Sequence, residues 1–158
     1  AQVEYLSFDK IPWFKDARDV VESLGYRLVE FNCVKGSNGW QVRAVVLNPE
    51  GGTGIDDCSK VHRILQTRME VLLDTQDLYM EVTSPGLDRN IKNCAEFEIF
   101  KDFGIRIWYV PLSDWVYGTI RSSDNEKITL LCSDGTEKVF PYGEIGKAKL
   151  DYSQEAVK

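Results

Sequence analysis

Histidine occurs once in the 158 residues, at His62, and the four cysteines (Cys33, Cys58, Cys94, Cys132) are scattered with no Cys-x-x-Cys pair among them. That shortage excludes the common structural zinc sites, which draw on local pairs of such ligands. No metal and no cofactor is expected, and the thiols are expected to be reduced and mostly buried, as in a cytosolic protein. An apolar run long enough to span a bilayer is missing, and the chain does not open on the regions of a secretory signal. The expectation is a soluble, cytoplasmic monomer with no membrane role. Ala1 rather than methionine stands first, consistent with a trimmed or renumbered native start. Positive charge is also short. Residues 1–92 carry 11 basic and 14 acidic side chains, residues 93–158 carry 8 and 11, and the net charge is −6. Nucleic-acid binders draw most of their affinity from neutralising phosphates and show a basic excess on at least one module. Neither part here has one. Two acidic modules suit a basic protein partner, attracted at long range.

Apolar side chains are ample, at 43% with 11% aromatic, enough for one ordinary domain or two small ones. From Pro12 to Leu24 the apolar residues Phe14, Ala17, Val20, Val21 and Leu24 recur at helical spacing, with Gly25 placed to end the helix. Tyr26–Val34 and Trp40–Leu47 are rich in β-branched and aromatic residues and predict two strands joined by a hairpin at Lys35–Gly39. After a glycine-rich break at residues 49–54, Asp56 or Asp57 is placed to cap a second helix, with Ile55 as its hydrophobic staple. Cys58, Val61, Ile64, Leu65, Met69 and Leu72 form the apolar stripe of that helix. A third strand follows, in which Leu78, Met80 and Val82 alternate with Tyr79, Glu81 and Thr83. The order is α-β-β-α-β.

Ser84-Pro85-Gly86 stops that strand. Proline presets φ at the second position of a turn and glycine accepts φ > 0 at the third, so a type II turn is expected, with Leu87 folding back as an apolar plug. Residues 91–97 are expected as a linker. Short β runs then follow at Ile105–Val110, Trp115–Arg121, Lys127–Cys132, Glu137–Phe140 and Lys147–Leu150, with tight turns between them. Gly118 suggests a bulge or bend at a barrel corner. The expected domains are residues 1–90, the linker 91–97, a small β-barrel over 98–152, and a polar tail at 153–158.

The wording of Glu81-Val82-Thr83-Ser84-Pro85-Gly86-Leu87-Asp88-Arg89 resembles the EVSSPGLDR signature of the ribosome maturation factor P (RimP) family, with Thr83 in place of the first serine. Gly54-Ile55-Asp56-Asp57-Cys58 and Leu24-Gly25-Tyr26-Arg27-Leu28-Val29-Glu30 extend the resemblance upstream, in family order. Asn90-Ile91 departs from the family's Pro-Leu, so a freer connection between domains is expected. The resemblance implies an α+β fold: an N-terminal KH-like domain, then a small C-terminal Sm-like (SH3-like) β-barrel. It also implies a non-enzymatic factor for maturing the small ribosomal subunit. Such a factor binds a basic small-subunit ribosomal protein within the pre-small-subunit particle and promotes its incorporation on the rRNA. The alternative is a KH/Sm-type module that binds rRNA directly; contact with rRNA is otherwise secondary.

Partner binding is assigned to Asp56, Asp57, Glu81, Ser84, Pro85, Gly86, Leu87, Asp88 and Arg89. The helix start and the strand end could meet at one edge, with Arg89 bridging to Asp56, Asp57 or Glu81; a purely structural ion network is the competing account. Two other motifs are weaker. Gly36-Ser-Asn-Gly39 joins strands, not the helices of an RNA-clamping GxxG loop, and Gly51-Gly-Thr-Gly54 leads to Asp56 and Asp57, which repel phosphate. Ser84 with His62 lacks a G-x-S-x-G elbow, and Pro85 removes an N–H that an oxyanion hole would need, so no catalytic residue is assigned.

Overall fold

The computed structural model describes residues 3–157, with side chains through 154. It comprises two compact units: residues 8–85, and a second formed by residues 86–157 with residues 3–7. Among the described residues the fold is mixed α+β, with two α-helices and two sheets. No helix there is long and apolar enough to cross a membrane.

The N-terminal unit runs α1 (Phe14–Ser23), β1 (Arg27–Gly36), β2 (Gly39–Leu47), α2 (Ile55–Leu72) and β3 (Leu78–Thr83). Its sheet has the order β1-β2-β3, with β1 and β2 antiparallel and β2 and β3 parallel. A parallel pair needs a crossover, and α2 supplies it. Helix α1 buries Phe14, Ala17 and Val21, and α2 buries Val61, Leu65 and Met69, the spacing of one helical face. Both helices pack against the sheet and against each other, over Phe31, Val42, Ala44 and Met80. The opposite sheet face carries Tyr79 at 63% exposure and Val34 at 55%. Its other residues are Asn32, Gln41, Arg43 and Glu81, around a shallow hollow of about 300 Å³.

The second unit holds β4 (Gly104–Tyr109), β5 (Asp114–Ser123), β6 (Lys127–Leu131), β7 (Glu137–Pro141) and β8 (Ile145–Leu150). They form an antiparallel sheet of order β7-β6-β5-β4-β8 over a core that includes Ile105, Ile107, Ile120, Ile128, Leu130 and Ile145. The expected closed barrel does not form as a hydrogen-bonded ring: β7 and β8 are the two edges. Pro141, which has no N–H to donate, ends β7, and a 3-10 turn at Tyr142–Glu144 carries the chain to the other edge. The bulge expected at Gly118 lies instead between Ile120 and Ser122. Gly118 is needed for a different reason: a Cβ there would sit 2.7 Å from the Leu131 carbonyl oxygen.

Residues 91–97, expected as a linker, are part of this unit's core. The Leu150 amide donates to the Arg89 carbonyl and the Ile91 amide to the Ala148 carbonyl, both at 2.9 Å, so residues 89–91 run against β8. Cys94–Glu98 is a 3-10 helix with Cys94 and Phe97 fully buried. Ile91 is buried and its amide is used, so Asn90-Ile91 is held within this unit. The first residues also depart from expectation. Leu6 exchanges backbone bonds with the Asn93 side chain at 2.9 and 2.8 Å, and Tyr5 stacks on Tyr142, which places residues 3–7 in the second unit and not in the first. Most of the expected polar tail is likewise ordered, as a 3-10 helix over Tyr152–Val157; residue 158 lies outside the described residues.

Candidate functional site

Helix α2 lies beside β3, and at the helix start the two diverge around a cleft of about 560 Å³. The helix contributes Ile55, Cys58, Ser59 and His62, spaced so that they share one face. The strand and its exit contribute Val82, Thr83 and Ser84, and the preceding loop contributes Thr53 and Gly54. The lining is uncharged apart from the titratable His62. Its rim carries an unusual feature: Ile55, the first helical residue, is 84% exposed. It is not the hydrophobic staple expected from the sequence, because a staple must precede the cap, and the cap here is Gly54.

Asp57 organises the helix start. At the third helical position its Oδ2 accepts the Gly54 amide at 2.8 Å, and its Oδ1 accepts the Tyr26 hydroxyl at 2.6 Å. Those bonds, Tyr26's foremost, hold the Asp57 carboxyl below the usual carboxylate range and keep it charged at neutral pH. The same bond holds the Tyr26 hydroxyl above the ordinary phenol value, so it stays a donor. One orphan amide of the helix is thereby satisfied and the positive end of its dipole is answered. Burial, and then the Asp57 charge, push the Cys58 thiol up, away from the nucleophilic thiolate. On the next turn His62 Nε2 donates to the Met80 carbonyl at 2.9 Å, tying helix to strand. Among the described residues, no three His, Cys, Asp or Glu side chains converge to hold a metal ion.

Residues 17–88 match the family model described as the RimP N-terminal domain. That stretch is a domain of the RimP family. This is a family of ribosome maturation factors, and the match includes every residue lining the cleft. Two of the three RimP-like motifs, Gly54–Cys58 and the strand entering Ser84, thus supply opposite walls of one cavity.

The nine residues assigned to partner binding divide between the two units, with the break after Pro85. Asp56 is exposed at the start of α2, and Asp57 beside it is engaged in the bonds above. Ser84 lines the cleft and Pro85 closes the N-terminal unit. Glu81 is on the sheet face away from α2, paired with Arg43 at 3.3 Å across the parallel register. Gly86, at φ +75° as the turn demands, opens the second unit with Leu87, Asp88 and Arg89. Leu87 is 71% exposed and plugs nothing. Asp88 is 82% exposed on its side chain and stands 3.8 Å from the Lys149 ammonium. Arg89 pairs with Glu96 inside the second unit, a partner that the sequence did not single out. Its Nε and a terminal guanidinium nitrogen grip both oxygens of Glu96 at 2.8 and 3.1 Å, with the residues only 9% and 1% exposed. It is a buried anchor. Cys58, Ser59, His62 and Val82 were not assigned to a partner site. Their spacing along the helix and their place in the strand were readable, and a meeting of helix start and strand end was expected; that the meeting leaves a cleft lined by these side chains was not.

Proposed function

We propose that this RimP-family chain is a non-enzymatic assembly factor of the small ribosomal subunit. It binds a basic small-subunit ribosomal protein and promotes its placement on the rRNA within the maturing particle. It acts as a cytoplasmic monomer. The observation that carries the reading is the RimP domain match over residues 17–88, whose motifs form the α2/β3 cleft. Charge supports it: residues 8–85 carry 9 basic and 12 acidic side chains. An acidic surface draws in a basic client and releases it to the denser negative charge of RNA. In the same reading the N-terminal unit is KH-like and the second unit is an opened Sm-like barrel. The α-β-β-α-β order supports the first, and five antiparallel strands with a 3-10 turn before the last support the second.

One observation favours the alternative, direct rRNA contact. The outer face of β4, β5 and β8 sets Arg106, Lys147 and Lys149 beside Trp108, Trp115 and Tyr117, and stacking rings with cations suit single-stranded RNA. Against it, Arg106 already lies over the Trp115 ring at 5.2 Å, and Asp151 and Asp88 stand 4.0 and 3.8 Å from Arg106 and Lys149. Titrating the chain with individual purified small-subunit proteins and with naked small-subunit rRNA separates the two. A basic protein should bind and rRNA should bind weakly at physiological salt, and Asp56→Asn should weaken client binding while leaving the melting temperature in place. Tight, steeply salt-dependent binding to rRNA alone would establish the alternative.

A further inference from the structure

Resting on that reading, we propose that the client enters the α2/β3 cleft as an extended basic segment that adds a strand to the free edge of β3. Two hydrogen bonds define that edge. The Trp40 amide donates to the Asp77 carbonyl at 3.0 Å, so Asp77 faces β2. Along a strand, the N–H and C=O of each residue point to the same side and alternate from residue to residue. Tyr79, Glu81 and Thr83 therefore bond to β2, while Leu78, Met80 and Val82 point away. The bond from His62 Nε2 to the Met80 carbonyl agrees, since it arrives from α2. β3 is the outer strand of its sheet. His62 thus covers the edge at Met80, and Val82 presents its N–H and C=O where the cleft opens.

The geometry of the cleft fits a strand. Its walls are a strand edge and one helix face, the arrangement in which an added strand takes main-chain hydrogen bonds from the edge and sets alternate side chains in the groove. The apolar Ile55 at the rim and the neutral Cys58, Ser59 and Thr83 inside receive such a side chain. Its neighbours point outward, past the exposed Asp56, on a unit whose 12 acidic side chains outnumber its 9 basic ones. A basic segment answers that charge. An anion does not, because Asp57 already occupies the Gly54 amide at the helix start.

The test uses the full chain and overlapping synthetic peptides that cover the small-subunit ribosomal proteins, with the intact proteins in parallel. Val82→Pro removes the outward N–H and spares the bonds to β2, because proline is tolerated at a strand edge. An extended basic peptide should bind, and Val82→Pro should weaken it by about tenfold or more. N-methylation of the peptide at alternate residues should do the same, an arm that leaves the protein untouched even if the proline variant folds poorly. Equal affinity for methylated and unmethylated peptides, or binding of an intact client that Val82→Pro leaves unchanged, would overturn strand addition while leaving the proposed function standing. Failure of every small-subunit protein and peptide to bind would overturn both.

Discussion

The Arg89–Glu96 pair offers the sharpest test of the structural account, because sequence and structure demand opposite outcomes. Had the Arg89 charge met its partners on an exposed edge, its removal would cost about 1 kcal/mol or less. Instead the pair is buried and bidentate, and Glu96 also accepts the Asn93 amide at 3.1 Å. Removing one member strands the other's charge, which costs about 3–5 kcal/mol. Arg89→Met leaves Glu96 its Asn93 contact, so Glu96→Leu, which also strips that amide of its acceptor, should be the costlier variant. The double variant, apolar on both sides, should recover most of the loss. A chain of two compact units need not unfold in one step, so a single global transition is an unsafe readout. Native-state hydrogen exchange at the Ile91 and Leu150 amides, which bond to Ala148 and Arg89, reports this unit directly. The reasoning fails if either single variant shifts those amides by less than about 1 kcal/mol. It fails too if the double variant loses the sum of the two.

Tyr26→Phe tests the bond at the start of α2 through pH. The folded-state Asp57 carboxyl is held below its ordinary 3.8, so its contribution is present above that value and disappears as pH falls below it. The Tyr26 hydroxyl is held above its ordinary 10.0, so its contribution is present below that value and disappears as pH rises beyond it. The gap in urea midpoint between wild type and Tyr26→Phe should be flat through neutrality and close at both extremes; a gap that persists unchanged in acid would reject the account. Gly39→Ala should destabilise the N-terminal unit by about 1–3 kcal/mol. Gly39 has φ +103°, and a Cβ would lie 2.6 Å from the Asp77 carbonyl oxygen. Chemical denaturation followed through the Trp13–Trp40 ring pair measures this, and a neutral result would mean that the β2 entry relaxes freely.

Much of the N-terminal unit could be read directly, because its cues are local. Phe14, Ala17 and Val21 repeat at helical spacing, and Leu78, Met80 and Val82 alternate as a half-buried strand must, so element type and order follow from side-chain period alone. The RimP resemblance likewise rested on short, contiguous strings. Partner choice had no such cue. Nothing near Arg89 in the chain distinguishes Glu96 from Asp56, Asp57 or Glu81 as its partner. That selection was made by packing, which lays residues 89–91 against β8 and brings Glu96 to the buried guanidinium. The same holds for Leu87, whose apolar character implied burial although the positive φ at Gly86 precedes an exposed position. Sheet closure was also undecided by strand count: five strands suit a barrel, but Pro141 and the turn after it leave β7 and β8 as separate edges. What the sequence by itself determined was local conformation, net charge and family. Tertiary structure alone decided which distant groups meet, because a partner is chosen by the geometry and burial of the whole unit, and no single stretch of residues carries that information.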